Sequence, residues 1–121
     1  TPTHPLDDLT AAEITAAAAV VKSALLADAS DASDDEIRFS YVTLAEPAKL
    51  AMAAYVTGEG PVPPRQAEVI ATIVSKMDAY IFVVNLGDEP SVASKNPVPE
   101  GCQPLFSPDD CFLAEEIVKA D

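Results

Sequence analysis

The sequence predicts an α+β domain in which one helix packs on a four-stranded antiparallel sheet and a further helix follows at the C-terminus. Three observations lead to this fold class. The first quarter of the chain carries apolar residues at helical spacing. The middle carries short runs rich in β-branched and aromatic residues, joined by turns too short for crossover helices. The end of the chain then returns to helical spacing.

The composition is that of a folded, strongly acidic domain. The chain has 121 residues, and a hydrophobic content of 49% argues against disorder. Twenty acidic and seven basic residues give a net charge of −13. Because this charge repels phosphate backbones and anionic lipid, we expect neither a nucleic-acid nor a membrane partner. No apolar run approaches the roughly 18 residues of a membrane span.

The first helix has a marked start. Thr10 and Glu13 form the Thr-x-x-Glu pattern of a capping box, and Leu9 is placed to pack on Ile14 as a hydrophobic staple. We expect a helix over Thr10–Ala27. Its apolar stripe consists of residues at helical spacing: Ile14, Ala17, Ala18, Val21 and Leu25.

A run of aspartate and serine, Asp28–Glu36, follows this helix. By composition it is a solvated loop. A calcium-binding loop is a more specific interpretation, but the run lacks the central glycine and the terminal glutamate spacing of an EF-hand. We therefore expect an ordinary loop here.

Four segments are predicted as strands: Ile37–Ala45, Arg65–Lys76, Ala79–Leu86 and a weaker one at Ser91–Ser94. Met77–Asp78 is short enough to close a hairpin. Because no helix lies between consecutive strands of this group, the sheet should be antiparallel.

The alanine-rich stretch Ala48–Val56 has two interpretations. Its intrinsic propensity favours a helix, whereas its position between two strands favours extended chain. The residues alone leave both open.

A second helix start appears near the end of the chain. Ser107 is a capping residue before Pro108, and two aspartates follow in the first turn. An apolar stripe continues from there: Leu113, Ala114, Ile117 and Val118. This helix could open a further domain, or it could dock back on the sheet.

Two cysteines, Cys102 and Cys111, are too few for a disulfide framework or a zinc cage. Either they bridge, which would tie the end of the sheet to the last helix, or they are two small buried hydrophobic residues. The residues do not determine the compartment, although an extracellular or secreted setting is slightly favoured, and such a setting would favour the bridge.

Several segments, taken in order, resemble the second N-terminal domain of copper-containing amine oxidases. His4–Asp7 with Leu9–Ile14 is similar to the HPLDPL(T/S)xxEI opening of that domain, and Pro64–Val69 to its PRRAEV strand. Further similar segments are Arg38–Lys49, Tyr80–Leu86, Gln103–Pro104 and, in the first helix of the next domain, Glu115–Asp121. Asp8 and Ala48 stand where the family usually has proline.

The resemblance implies a cystatin-like α+β domain over residues 1–106, with 107–121 as the first helix of the next domain. It also implies that Lys49–Val56 is a strand, against its helix propensity. The partners would be the remaining domains of the parent oxidase, which is itself expected to be a homodimer.

The parent family oxidatively deaminates primary amines with copper and topaquinone, using three histidines and a tyrosine in an Asn-Tyr-acid context. This chain has only His4, and its tyrosines (Tyr41, Tyr55 and Tyr80) lack that context. One imidazole does not make a copper site, and no activated nucleophile accompanies His4. We therefore expect no catalytic, cofactor-binding or metal-binding residue in this chain, and copper and topaquinone only in the parent enzyme.

The alternative is an independent, acidic cystatin-like module that binds a partner or inhibits a protease. Such inhibitors use a Gln-x-Val-x-Gly hairpin. Gln66–Ile70 has neither that spacing nor the glycine, which makes inhibition the weaker hypothesis.

Overall fold

A computed structural model describes all 121 residues, Thr1–Asp121. The fold is α+β, as predicted. The helices are α1 (Ala11–Asp28), α2 (Lys49–Val56) and α3 (Pro108–Ala120), and the strands are β1 (Ile37–Ala45), β2 (Gln66–Ile73), β3 (Asp78–Asn85) and β4 (Ser91–Pro97). Short 3-10 turns occupy Asp34–Glu36 and Val74–Lys76.

The four strands form one sheet in the order β1-β2-β3-β4, and every pairing is antiparallel. The β2–β3 hairpin turns at Met77, whose φ of 56° lies in the left-handed region. A bulge interrupts β1 between Phe39 and Tyr41. The prediction of a four-stranded antiparallel sheet is confirmed, and β4 runs further than expected, to Pro97.

The core lies between α1 and one face of the sheet. β2 alternates strictly, with every second residue buried, because one of its faces is covered by the helix. The buried hydrophobic residues are Ala17, Val21, Leu25, Ala29, Ile37, Ala67, Val69, Ala71, Ile73, Phe82 and Val84. Burying a side chain the size of valine or leucine contributes about 1.5–3 kcal/mol, so this face dominates stability.

The apolar stripe of α1 is narrower than predicted. Ala17, Val21 and Leu25 are buried, whereas Ile14 is 40% exposed and Leu9 packs against the core. The buried residues recur every four positions, and Ile14 lies three before Ala17, at the edge of the stripe. The expectation that Ile14 belongs to the buried stripe is therefore wrong.

The expected strand at Lys49–Val56 is also wrong, because this stretch forms helix α2. None of its residues is buried, and Leu50 is 86% exposed. Alanine, leucine, methionine and lysine favour helix, and with so little packing nothing overrides that preference.

Only the middle of the acidic run, residues 29–33, is the predicted loop, because Asp28 ends α1 and Asp34–Glu36 form a 3-10 turn. Three lysines from other parts of the fold pair with the run. Lys22 of α1 lies 3.0 Å from Asp34, and Lys76 beside the hairpin turn lies 2.9 Å from Asp31. Lys95 of β4 pairs with Asp28. Because lysine ammonium groups occupy these carboxylates, the loop is not arranged for calcium.

Helix α3 does not pack on the sheet. Every residue from Cys111 to Asp121 is exposed, and only Ser107, at the cap, is buried. Docking back on the sheet is therefore not the arrangement in the structure.

No helix of the protein is both long and apolar enough to cross a membrane.

Candidate functional site

The most elaborate polar cluster in the protein surrounds Arg65, immediately before β2. Its Nε lies 2.9 Å from Oε1 of Glu13, and its Nη2 lies 3.1 Å from Oε2. Glu13 is in the first turn of α1, so the pair joins the helix to the sheet across 52 positions of sequence. Two parallel charge-assisted bonds of this kind are the strongest geometry available to an arginine and a carboxylate.

The other N–H groups of the guanidinium hold the N-terminal segment. Nη1 donates to the carbonyls of His4, Pro5 and Asp7 at 3.3, 3.2 and 2.9 Å, and Nη2 donates to that of Asp8 at 3.2 Å. We call Arg65, Glu13 and these four carbonyl groups the Arg65 clasp. It fixes the start of the chain against the junction of α1 and β2.

The capping box of α1 is part of the same cluster. Oε2 of Glu13 accepts the backbone N–H of Thr10 at 2.9 Å, and the Thr10 hydroxyl accepts the N–H of Glu13 at 3.2 Å. The hydrogen bonds from Arg65, followed by those from Thr10, lower the pKa of Glu13 from 4.5 to about 2. The side chains of Arg65 and Glu13 are only 16% and 18% exposed, so solvent screens the pair little.

The segment held by the clasp is itself ordered by local bonds. Oδ2 of Asp7 accepts the backbone N–H groups of His4 at 2.9 Å and Thr3 at 2.8 Å, which lowers the pKa of Asp7. Nδ1 of His4 accepts the N–H of Leu6 at 3.2 Å, and the His4 ring lies 6.0 Å from that of Tyr55 in α2. The imidazole thus has a local structural role.

A second, looser cluster lies where the chain leaves the sheet. Asp110 accepts both the N–H and the hydroxyl of Ser107 at 2.9 Å, closing the capping box of α3. Nε of Arg38 is buried without a hydrogen-bond partner, and Oδ1 of Asp110 is 3.9 Å away. The Ser40 hydroxyl donates to the carbonyl of Leu105 at 2.7 Å. We call this group the exit cluster.

The Arg65 clasp, unlike most of the exit cluster, falls on a part of the chain that a known family shares. The family model of the copper amine oxidase N2 domain matches residues 4–97, which include the whole Arg65 clasp and the whole sheet. The chain belongs to the copper amine oxidase N2 domain family. A comparison with curated proteins gave no match.

The residues of this N2 domain do not fit copper. No group of three or more His, Cys, Asp or Glu side chains could hold a metal ion. The only imidazole, that of His4, uses Nδ1 for the local bond to Leu6. Cys102 and Cys111 are free and exposed, so of the two alternatives the one with buried hydrophobic cysteines is wrong, and they are not bridged in this structure.

The three tyrosines of the N2 domain do not form a quinone site. Tyr41 donates its hydroxyl to Glu68 on the open face of the sheet, and this bond raises the pKa of Tyr41. Lys95 lies 4.3 Å above the ring of Tyr80, and Tyr55 lies beside His4. No step of amine oxidation can be derived from these residues.

The segment compared with the inhibitor motif, Gln66–Ile70, lies inside β2 and pairs with both β1 and β3. It is a central strand and not the tip of a hairpin.

Sequence analysis missed the Arg65 clasp. Glu13 was recognised only as a capping residue, and Arg65 only as part of a family-like segment. A useful signal was present, because a chain with net charge −13 has only two arginines. The sequence does not show, however, that Arg65 reaches Glu13 and the carbonyls at positions 4–8.

Proposed function

We propose that this chain is a non-catalytic architectural domain of a copper- and topaquinone-dependent amine oxidase. The oxidative deamination of primary amines is then carried out by other domains of the parent enzyme. The observation that carries the proposal is the Arg65 clasp, since it joins three family-like segments: 4–7, 9–14 and 64–69.

The chemistry of the clasp supports a structural role. All three guanidinium nitrogens of Arg65 are used within the domain, and both carboxylate oxygens of Glu13 are engaged. A catalytic group needs a free lone pair or proton directed at substrate, and the clasp leaves none. What it provides is a rigid connection between the chain start, α1 and the sheet.

The domain division proposed is 1–106 for this unit and 107–121 for the first helix of the next. Two facts support it. Residues 98–121 lie beyond the part matched by the family model, and α3 leaves its apolar residues exposed. The proposed partners are the remaining domains of a parent oxidase, itself a homodimer.

The test is made in an oxidase chain that contains this segment. Arg65→Ala should lower its melting temperature, while the copper and quinone content and the turnover per quinone stay within about twofold of wild type. Lys49→Ala, on the exposed helix α2, is the matched control and should change none of these quantities.

A loss of about tenfold or more in turnover per quinone, with unchanged stability, would show that the domain participates in the chemistry. The 121-residue chain alone should bind no stoichiometric copper and release no peroxide from simple amines. One tightly bound copper per chain would contradict the proposal.

A further inference from the structure

The segment between β4 and α3 is held only at its ends. We call residues 98–106 the exit segment. None of them is buried, and two hydrogen bonds tie it to the sheet: the N–H of Val98 donates to the Ala79 carbonyl at one end, and the Ser40 hydroxyl donates to the Leu105 carbonyl at the other. Gly101 has a φ of +80°, and the N–H of Cys102 donates to the Pro99 carbonyl at 3.0 Å, so the segment turns just before the thiol.

The two cysteines lie on either side of this turn. Cys102 lines a cavity of about 500 Å³ between the exit segment and the end of the sheet. Asp110, the residue before Cys111, lines the same cavity. Both thiols are free and exposed. The exit segment and the first turn of α3 thus place Cys102 and the residue before Cys111 at the same cavity.

A disulfide requires the two Cα atoms to come within about 7 Å. No hydrophobic core contact opposes that approach, because neither the exit segment nor α3 buries a residue. The fixed points between the cysteines are polar: the Ser40–Leu105 hydrogen bond, the buried cap residue Ser107, and Asp110 beside Arg38. Only eight residues separate the cysteines, and a connection this short gives an effective concentration in the millimolar range when its geometry lets the two groups meet. Reaction between them should therefore outcompete reaction between molecules.

We propose that Cys102 and Cys111 are a redox pair that closes to an intramolecular disulfide when it meets a small-molecule disulfide such as oxidised glutathione. The thiolate of one cysteine attacks a sulfur of the oxidant, forming a mixed disulfide and releasing one glutathione thiolate. The second cysteine thiolate then displaces the other glutathione. Two electrons pass from the protein to the oxidant, and the two thiol protons end on the released glutathiones.

Closure would fasten the exit segment to the beginning of α3 and so restrict the directions that this helix can take from the sheet. The core and the Arg65 clasp would be untouched, since neither thiol belongs to them. The inference goes beyond the proposed function, because it requires no copper, quinone or amine chemistry.

The experiment treats the 121-residue chain, at about 10 µM, with oxidised glutathione and follows intact mass. The wild-type chain should become a monomer lighter by two hydrogens, with closure about a hundredfold faster than dimer formation. Cys102→Ser and Cys111→Ser should each stop at the glutathione mixed disulfide. Both positions are exposed, so the variants should unfold at the wild-type denaturant concentration.

A wild-type chain that accumulates two glutathiones, forms disulfide-linked dimers or stays a dithiol under these conditions would overturn the proposal. Hydrogen exchange tests the structural consequence. Amides of residues 98–106 should exchange about tenfold more slowly in the closed form, with reversal by dithiothreitol and no slowing in oxidised Cys102→Ser. Unchanged exchange in the closed form would show that the bridge does not restrain the exit segment.

Discussion

Helices α1 and α3 both begin with a capping box, but they differ in how they pack against the rest of the domain. Each has a capping box, Thr10 with Glu13 in one case and Ser107 with Asp110 in the other. Helix α1 buries three residues against the sheet, whereas α3 buries none. The comparison teaches that a cap decides where a helix starts, and that packing decides whether the helix contributes to the fold.

The carboxylates of the two capping boxes also differ in how strongly they are connected to the rest of the domain. Glu13 receives two hydrogen bonds from Arg65, the shorter at 2.9 Å, whereas the nearest arginine nitrogen to Asp110 is that of Arg38 at 3.9 Å. Arg65 therefore integrates the first cap into the domain, while the second cap stays a local feature of α3.

The largest difference in stability loss is expected between alanine substitutions of a core leucine and of an exposed leucine. Leu25→Ala removes a side chain that is 1% exposed and should destabilise the domain by about 2–5 kcal/mol. Leu113→Ala, in α3, removes one that is 48% exposed and should change stability by less than about 0.5 kcal/mol. Urea unfolding monitored by far-UV circular dichroism measures both. Similar losses in the two variants would mean that α3 packs on the domain.

The next-largest difference in stability loss is expected between alanine substitutions of the two arginines. Arg65→Ala leaves the Glu13 carboxylate with only its hydrogen bonds from Thr10 and removes the arginine donor from four carbonyls, so we expect a loss of about 2–4 kcal/mol. Arg38→Ala removes a loose ion pair and a local hydrogen bond to the carbonyl of Asp35, and it should cost about 1 kcal/mol. Chemical denaturation of the paired variants at pH 7 gives the ranking, and equal losses would refute the distinction between the clasp and the exit cluster.

The smallest difference in stability loss is expected between alanine substitutions of the two helix N-cap residues. Thr10→Ala should lower the free energy of unfolding by about 1 kcal/mol, because α1 is part of the cooperative unit. Ser107→Ala should leave global unfolding almost unchanged and reduce only the helicity of α3, since a helix of 13 residues without packing is marginal. Amide exchange within α3 separates the two effects. A global loss in Ser107→Ala as large as that in Thr10→Ala would contradict the account.

Local patterns predicted much of the fold. The Thr10–Glu13 box, the spacing of Val21 and Leu25, and the antiparallel sheet all follow from nearest-neighbour chemistry and periodicity. The start of α3 at Ser107 and Pro108 was equally readable. In each case the signal lies within a few residues of the structure that it specifies.

The failures have two physical causes. Lys49–Val56 was assigned as a strand from the family resemblance, but an exposed segment follows its own propensity when no strand pairs with it. The Arg65 clasp depends on a contact across 52 positions, and spacing in the sequence does not encode such contacts. The lack of packing around α3 was likewise one of two open alternatives until the fold placed the helix.

The central claim is that the Arg65–Glu13 pair holds the family-like segments together as one unit. A double-mutant cycle tests it directly, with Arg65→Gln, Glu13→Gln and the double variant unfolded in urea at pH 7 and pH 3. The pKa of Glu13 is lowered from 4.5 to about 2, so the folded state binds its proton less readily. The stability from this group is thus fully present above about pH 4.5 and is lost as the pH falls towards 2.

We expect a coupling free energy on the order of 2–3 kcal/mol at pH 7, falling by about half or more at pH 3. Coupling below about 0.5 kcal/mol at pH 7, or coupling that does not change between the two pH values, would contradict the claim.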